Sequence, residues 1–259
     1  MQAATSTAES RSARFGRALG RIALAAGALC AVAALAAGPA YRTGAAPLGV
    51  ALQVIRGSAI VATGGAVVAV IALLVAMARP SVRRARGVAA AALLVNVLVA
   101  APPLLLYRQA QQLPRIHDIS TDTADPPRFV AVLPLRQGAR NPVDYPASTA
   151  AEQRRGYPDI APLTLPLAPP AAFERALQAA RAMGWEIVAA VPEALRIEAT
   201  DSTPLFGFKD DVVVRITPQG AGSVVDVRSL SRVGGSDLGT NAKRVRAYLR
   251  RLSDSASAR

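Results

Sequence analysis

Three stretches of almost unbroken apolar residues occupy the first 106 positions: Ile22 to Gly38, Gly57 to Ala78 and Gly87 to Leu106. A helix packed against a water-soluble core carries polar residues along one face, and these stretches do not. Their lengths come close to the roughly 20 residues a helix needs to cross a bilayer. The pattern predicts three membrane spans. The second has an open start, because Leu48 to Ile55 is also apolar and only Arg56 interrupts it. An arginine near a span end can extend its charge to the interface.

From Pro170 the period changes. Residues 170–184 read as a helix, with proline at its start, Gly184 as its stop, and Phe173, Leu177 and Ala180 on one face. Trp185 to Val191, Ala194 to Thr200, Leu205 to Thr217 and Ser223 to Val233 read as strands. A bulge is expected near Gly207 and a hairpin turn at Pro218 to Gly222. Ser236 to Leu252 reads as a closing helix with Leu238, Ala242, Val245, Leu249 and Leu252 on its apolar face. The order α-β-β-β-β-α with short turns implies an antiparallel four-stranded sheet with both helices on one face. Leu195, Ile197, Val212, Val214 and Ile216 would face the helices. Arg196, Glu198, Arg215, Asp226 and Arg228 would face away, as a solvated ladder of opposite charges.

Between these halves, residues 107–169 hold more than half of the chain's 19 prolines. Proline lacks an amide hydrogen, so neither a long helix nor a central strand is expected there. Phe129 to Leu135 is a candidate short edge strand, and Tyr145, Tyr157, Ile160 and Leu163 are apolar anchors. The segment reads as an extended arm that leaves the membrane and packs along the folded domain. The fold class is therefore membrane helices plus an α+β domain. The expected divisions are a basic cytoplasmic leader at 1–21, three spans at about 22–38, 57–78 and 87–106, the arm at 107–169, the domain at 170–253 and a disordered tail at 254–259.

Charge refines this picture. The net charge is +13, and most of the excess flanks the spans, since residues 1–106 contain one acid, Glu9. Arg11, Arg14, Arg17 and Arg21 precede the first span, and Arg79, Arg83, Arg84 and Arg86 separate the second from the third. The loop between spans one and two holds Arg42 and borderline Arg56. Basic loops stay cytoplasmic, so everything after Leu106 is expected outside, in the periplasm of a Gram-negative cell. A rival reading makes the first span a cleaved signal peptide, with Ala34-Leu35-Ala36 as the cleavage site, and leaves that orientation unchanged. With only 4% aromatic residues and no recognition motif, a nucleic-acid partner is not expected. A single cysteine, Cys30, and a single histidine, His117, argue against a zinc site or any other metal site, and no cofactor motif is present.

Candidate chemistry is sparse. Asn96, midway along the third span, reads as packing between helices. His117 and Asp118 are adjacent, whereas a base and its orienting acid usually meet through the fold, so a structural role in turns and caps fits them better. Asp210 and Asp211 are neighbours on a strand and point to opposite faces. One is expected in solvent and the other on an arginine. The stretch RSLSRVGGSDLGTNAKR, Arg228 to Arg244, has two readings. In one, Arg228, Ser231, Arg232, Gly234, Gly235 and Ser236 form an anion or partner-binding site at the start of a helix. In the other they are a strand-to-helix joint, with Ser236 as the N-cap and Arg232 paired to Asp237 or Asp211.

IHDISTDTADPPRF from Ile116, FGFKDDVVVRIT from Phe206 and DVRSLSRVGGSDLGTNAKRVRAYL from Asp226 together resemble the family known as domain of unknown function 1499, over roughly residues 114–253. The resemblance supports the domain boundary and implies no activity. The function expected from the chain is that of an inner-membrane protein presenting a periplasmic, non-enzymatic binding domain for membrane lipid, an envelope protein or an anionic ligand. The alternatives are a periplasmic enzyme using the Arg228–Asn241 loop and the His117–Asp118 arm, and a structural subunit of a membrane complex.

Overall fold

The computed structural model describes residues 2–78 and 83–257, with side chains at 14–78 and 85–254. The side chains of Arg11, Arg79, Arg83 and Arg84, on which the orientation argument draws, and the end of the expected tail lie outside this set. The chain divides into two compact units, Met1–Gln111 and Gln112–Arg259.

The first unit is a bundle of α1 (Gln2–Arg42), α2 (Leu48–Met77) and α3 (Arg83–Ala110). Three segments, Arg14–Arg42, Leu48–Met77 and Ala85–Ala110, are long and apolar enough to cross a membrane, with mean hydropathies of 2.0, 2.6 and 2.2. The second starts directly after Pro47, so Arg56 lies inside the helix. Its residues are sorted in the manner of a membrane bundle. Ala23, Ala62, Ala69, Ala72, Ala89 and Ala92 face inward, while Leu29, Ile60, Leu74 and Leu98 stand outward. Lipid chains are as apolar as leucine, so helices gain most by bringing small residues and backbones close together. Arg86 donates from Nε to the Ala76 carbonyl at 2.9 Å and so caps the end of α2.

Asn96 is fully buried among the three helices. Its Nδ2 donates to the Ala23 carbonyl of α1 at 2.9 Å and to the Ala92 carbonyl one turn back at 2.8 Å. The amide fits because glycines face it. A Cβ at Gly27 would stand 2.7 Å from Nδ2, and one at Gly65 of α2 would overlap Oδ1.

The second unit holds β1 (Asp118–Ser120), α4 (Ala147–Gly156), β2 (Leu163–Leu165), α5 (Pro169–Ala182), β3 (Glu186–Val191), β4 (Arg196–Ser202), β5 (Lys209–Gln219), β6 (Gly222–Ser231) and α6 (Thr240–Ser257). The sheet is antiparallel in the order β1-β6-β5-β4-β3, with β2 also on β6. Four of its six strands are the expected meander. The other two come from the arm: β1 pairs with Arg228 to Leu230, and β2 with Ser223 to Val225, along the edge of β6. An uncovered β6 edge would expose unpaired amides and carbonyls, and the arm removes that exposure.

Several local expectations are corrected. Phe129 to Leu135 is not a strand; it leads into a 3₁₀ turn at Leu133–Arg136, where Pro134 cannot donate a ladder bond. The arm contains a ten-residue helix, α4, in the proline-free window after Pro146. The bulge lies at Ile187/Ala189 in β3, while Gly207 sits in the loop before β5 with φ +65°. The closing helix starts at Thr240 because Leu238 and Gly239 adopt φ +53° and +79°, outside helical space.

The sheet has a different cover on each face. Helices α5 and α6 pack on one, burying Phe173, Leu177, Val212, Val214, Val227 and Val245. Trp185 stacks on Tyr248 at 4.8 Å between ring centroids, and the Tyr248 hydroxyl donates to the Ala176 carbonyl at 2.8 Å. The arm packs on the other face, where Phe129 and Val132 meet Val213 and Leu230. The charged ladder on that face is therefore not the solvated face that its alternation alone suggests. Glu198, Asp226 and Arg228 are buried beneath the arm, while Arg196 and Arg215 stay half-buried at its margin.

Candidate functional site

Strand alternation carries Glu198, Asp211, Asp226, Arg228 and Arg232 to the face beneath the arm, and each charge there is matched. Glu198 is fully buried, and its carboxylate accepts three successive backbone amides, Val130, Ala131 and Val132, each at 3.0 Å. Such a concave run of amides is a ready anion holder, here filled by the chain's own acid. Arg196 adds a bond from Nε at 2.9 Å.

Asp211 is the hub. Arg136 of the arm reaches Oδ2 at 2.6 Å, Arg232 makes bonds of 2.9 and 2.7 Å to the two oxygens, and the Thr200 hydroxyl donates to Oδ1 at 2.8 Å. Both guanidinium groups also bind arm carbonyls, Asn141 and Leu135 respectively, at 2.8 Å. Arg228 pairs with Asp118 at 2.7 Å and donates to the Val143 carbonyl at 2.6 Å. Its planar cation lies over the rings of Phe129 and Tyr145, at 5.0 and 5.3 Å. Burial pushes the Asp118 carboxyl upward, and the hydrogen bond from Arg228 pulls it back. Arg215 binds Asp226 at 3.0 Å and Asp125 of the arm at 2.8 Å.

A second polar cluster lies on the helix side. Arg244 of α6 reaches Asp210 at 2.6 Å, Asp201 at 2.8 Å and the Ser229 hydroxyl at 3.0 Å, and also donates to Asn241 Oδ1. Asn241 Nδ2 donates to the Ser231 hydroxyl at 3.0 Å and to the His117 carbonyl at 2.9 Å. The start of α6 is capped by Asp237, whose oxygens accept the Gly239 amide at 2.9 Å and the Asn241 amide at 2.7 Å. Burial raises the Asp237 carboxyl, and those two amides oppose the shift. Ser236 does not hold the helix start as N-cap; its Oγ takes only the Leu238 amide at 3.3 Å, in the turn before the helix.

The residues singled out in the sequence thus divide between two faces. Arg228 and Arg232 lie under the arm on Asp118 and Asp211, while Ser231 turns to Asn241. Gly234, at φ +96°, gives its carbonyl to Asn141 of the arm at 2.9 Å. Gly235 follows in the turn toward Ser236. Asp210 and Asp211 do point opposite ways, but both are buried and both meet arginines, so neither faces solvent. His117 keeps Nδ1 enclosed without a hydrogen-bond partner, and its carbonyl also accepts the Ser231 amide at 3.0 Å. Sequence reasoning missed Arg136, Asn141, Gln153 and Arg244, because their partners lie at sequence separations of 33 to 90 residues.

Not every pair is buried. Arg246 grips Asp159 with bonds of 2.6 and 2.7 Å at the surface and holds its carboxyl below the ordinary carboxylate range. This contribution is present above the unfolded value of about 3.9 and is lost as pH falls through the lowered folded value. Arg246→Ala should cost less than about 1 kcal/mol at pH 7. The wild-type and variant urea midpoints should converge in acid; a gap that stays constant with pH would contradict this origin.

Among the described residues, no group of three or more His, Cys, Asp or Glu side chains is arranged to hold a metal ion. No curated protein matches the chain. A family model does match it over residues 118–252, from the first arm strand to the last core residue of α6, and the chain belongs to that family, described as protein of unknown function (DUF1499).

Proposed function

We propose that this chain is a bacterial inner-membrane protein that holds its DUF1499 domain in the periplasm as a binding module. The observation that carries the binding reading is the mutual engagement of the domain's charges. The acids that could serve acid–base chemistry, Asp118, Asp210 and Asp211, are each bound to arginine, and Glu198 is bound to arm amides. Asp118, Asp211 and Glu198 thereby fix the arm to the sheet and Asp210 fixes α6 to it, which leaves the outer surface to meet other molecules. That surface includes Val130, Leu133 and Leu135, large apolar side chains about half exposed along the arm.

The orientation rests on the arginines that precede the first span and separate the second from the third. C-terminal fusions to alkaline phosphatase and to green fluorescent protein test it. The phosphatase fusion should be active and the fluorescent one dark; the reverse pattern places the domain in the cytoplasm and overturns the topology. For binding, photo-crosslinkers at the exposed Leu135 and Leu205 should give discrete adducts in cells. Adducts no stronger than those from the buried Leu230 would count against a binding surface there.

A further inference from the structure

The anion site considered for the Arg228–Ser236 loop has no free cation, because Asp118 and Asp211 already occupy its arginines. A shielded cationic nitrogen without a partner lies elsewhere. On the outer side of the helical layer, α5 and the end of α6 enclose a groove of about 460 Å³. Arg175, Gln178 and Glu174 line it from α5 and Arg251 from α6, over an apolar floor that includes Leu167 and Ala179. Arg175 keeps Nη1 shielded from solvent without a hydrogen-bond partner. Arg136, Arg215, Arg228, Arg232, Arg244 and Arg246 all reach a carboxylate. A shielded guanidinium nitrogen without an acceptor is costly, and a bound oxyanion would relieve that cost.

We infer that this groove binds a small oxyanion between Arg175 and Arg251, with Gln178 as a neutral donor. The inference rests on the binding reading above and supplies its ligand class. Two guanidinium groups and one carboxylate, Glu174, leave the groove with a single net positive charge. That balance suits a monoanion, a phosphodiester or a carboxylate, better than a dianionic phosphate monoester. The apolar floor would receive the carbon side of such a ligand. One chemistry here has two sources: the phosphodiester of a lipid headgroup, or a soluble anion.

The test uses the full chain in detergent micelles, with thermal unfolding followed through Trp185 fluorescence. Glycerophosphoethanolamine serves as the soluble phosphodiester, acetate as the carboxylate and inorganic phosphate, in mildly alkaline buffer where it is dianionic, as the comparison. A saturable rise in Tm with either monoanion is expected, because a ligand that binds only the folded state stabilises it. The rise should be lost in Arg175→Ala and require at least fivefold more ligand in Arg251→Ala. Without ligand, Arg175→Ala should unfold no earlier than wild type, since it removes a shielded cationic nitrogen without a partner. No saturable rise with either monoanion, or an unchanged rise in Arg175→Ala, overturns the site. A photo-crosslinker at Ala182 in nanodiscs of phosphatidylglycerol and phosphatidylethanolamine separates the sources. A phospholipid adduct identifies the headgroup, and Tm stabilisation without an adduct identifies a soluble anion. Micelle binding does not depend on topology, so this test and the reporter fusions fail independently.

Discussion

Asp211→Ala should release the arm and destabilise the DUF1499 domain by about 3–5 kcal/mol, the cost of leaving buried cations without their counter-charge. Its carboxylate holds Arg136 and Arg232 together, and those side chains are only 5% and 14% exposed. Neither can turn to water without lifting the 3₁₀ turn at Leu133–Arg136 or breaking its bond to the Leu135 carbonyl. The loss approaches the whole stability of an ordinary domain. Urea unfolding measures it directly. Limited trypsin digestion shows where it acts, because cleavage at Arg136 and Arg140 should accelerate before cleavage in α6. Asp211→Asn keeps the shape and should still lose most of the effect, since an amide cannot balance two guanidinium charges. Wild-type stability in both variants would show that the hub is dispensable. The surface pair Arg246–Asp159 is the internal comparison: it is of similar length, but water screens it.

The second large effect is expected in the membrane bundle. Gly65→Leu should disrupt the packing of α2 against Asn96, because even a methyl group there overlaps the carboxamide. Displacing Asn96 also breaks its bond to the Ala23 carbonyl of α1, so one substitution on α2 weakens contacts to both other helices. Overpacking of this kind costs about 1–3 kcal/mol, and an interhelical hydrogen bond in a membrane protein adds about 0.6 kcal/mol. Thermal unfolding in detergent should show an earlier transition in the variant. Asn96→Ala should relieve the clash, so Gly65→Leu combined with Asn96→Ala should be more stable than Gly65→Leu alone. Additive losses in the double variant would mean that the two residues do not meet.

Both effects depend on partners that local patterns reveal unequally. Asn96 was legible as packing because a lone amide in an apolar run has few other roles. That it meets Gly27 and Gly65 was not legible, since glycine and alanine recur throughout the first three helices. Asp211 was legible as one member of an acidic pair on a strand, and alternation placed it correctly away from Asp210. Arg232 was legible as one possible partner of Asp211; the burial of Asp211 was not, because its other arginine, Arg136, belongs to a segment that looked like a proline-rich connection. The same limit turned the charged ladder Arg196, Glu198, Arg215, Asp226 and Arg228 into an apparent solvent face. Alternation states which residues share a face; it does not state what covers that face.

The sequence by itself determined the three apolar helices, the four-strand meander, the helices that flank it and the family to which the chain belongs. The helices and strands rest on periodicity or turn chemistry within about 20 residues, where the backbone's own geometry dictates the pattern; the family rests on the motifs that start at Ile116, Phe206 and Asp226 and on the match over residues 118–252. Only the tertiary structure decided the rest: that the arm supplies two strands and a lid, and that Asp118 meets Arg228 across 110 residues of chain. It also decided that Glu198 holds three amides of the arm, and that Arg175 keeps Nη1 shielded without a hydrogen-bond partner. An ion pair carries no periodic signature, because any arginine can satisfy any carboxylate. Which two meet is set by how distant segments pack, and that choice is made in the assembled fold.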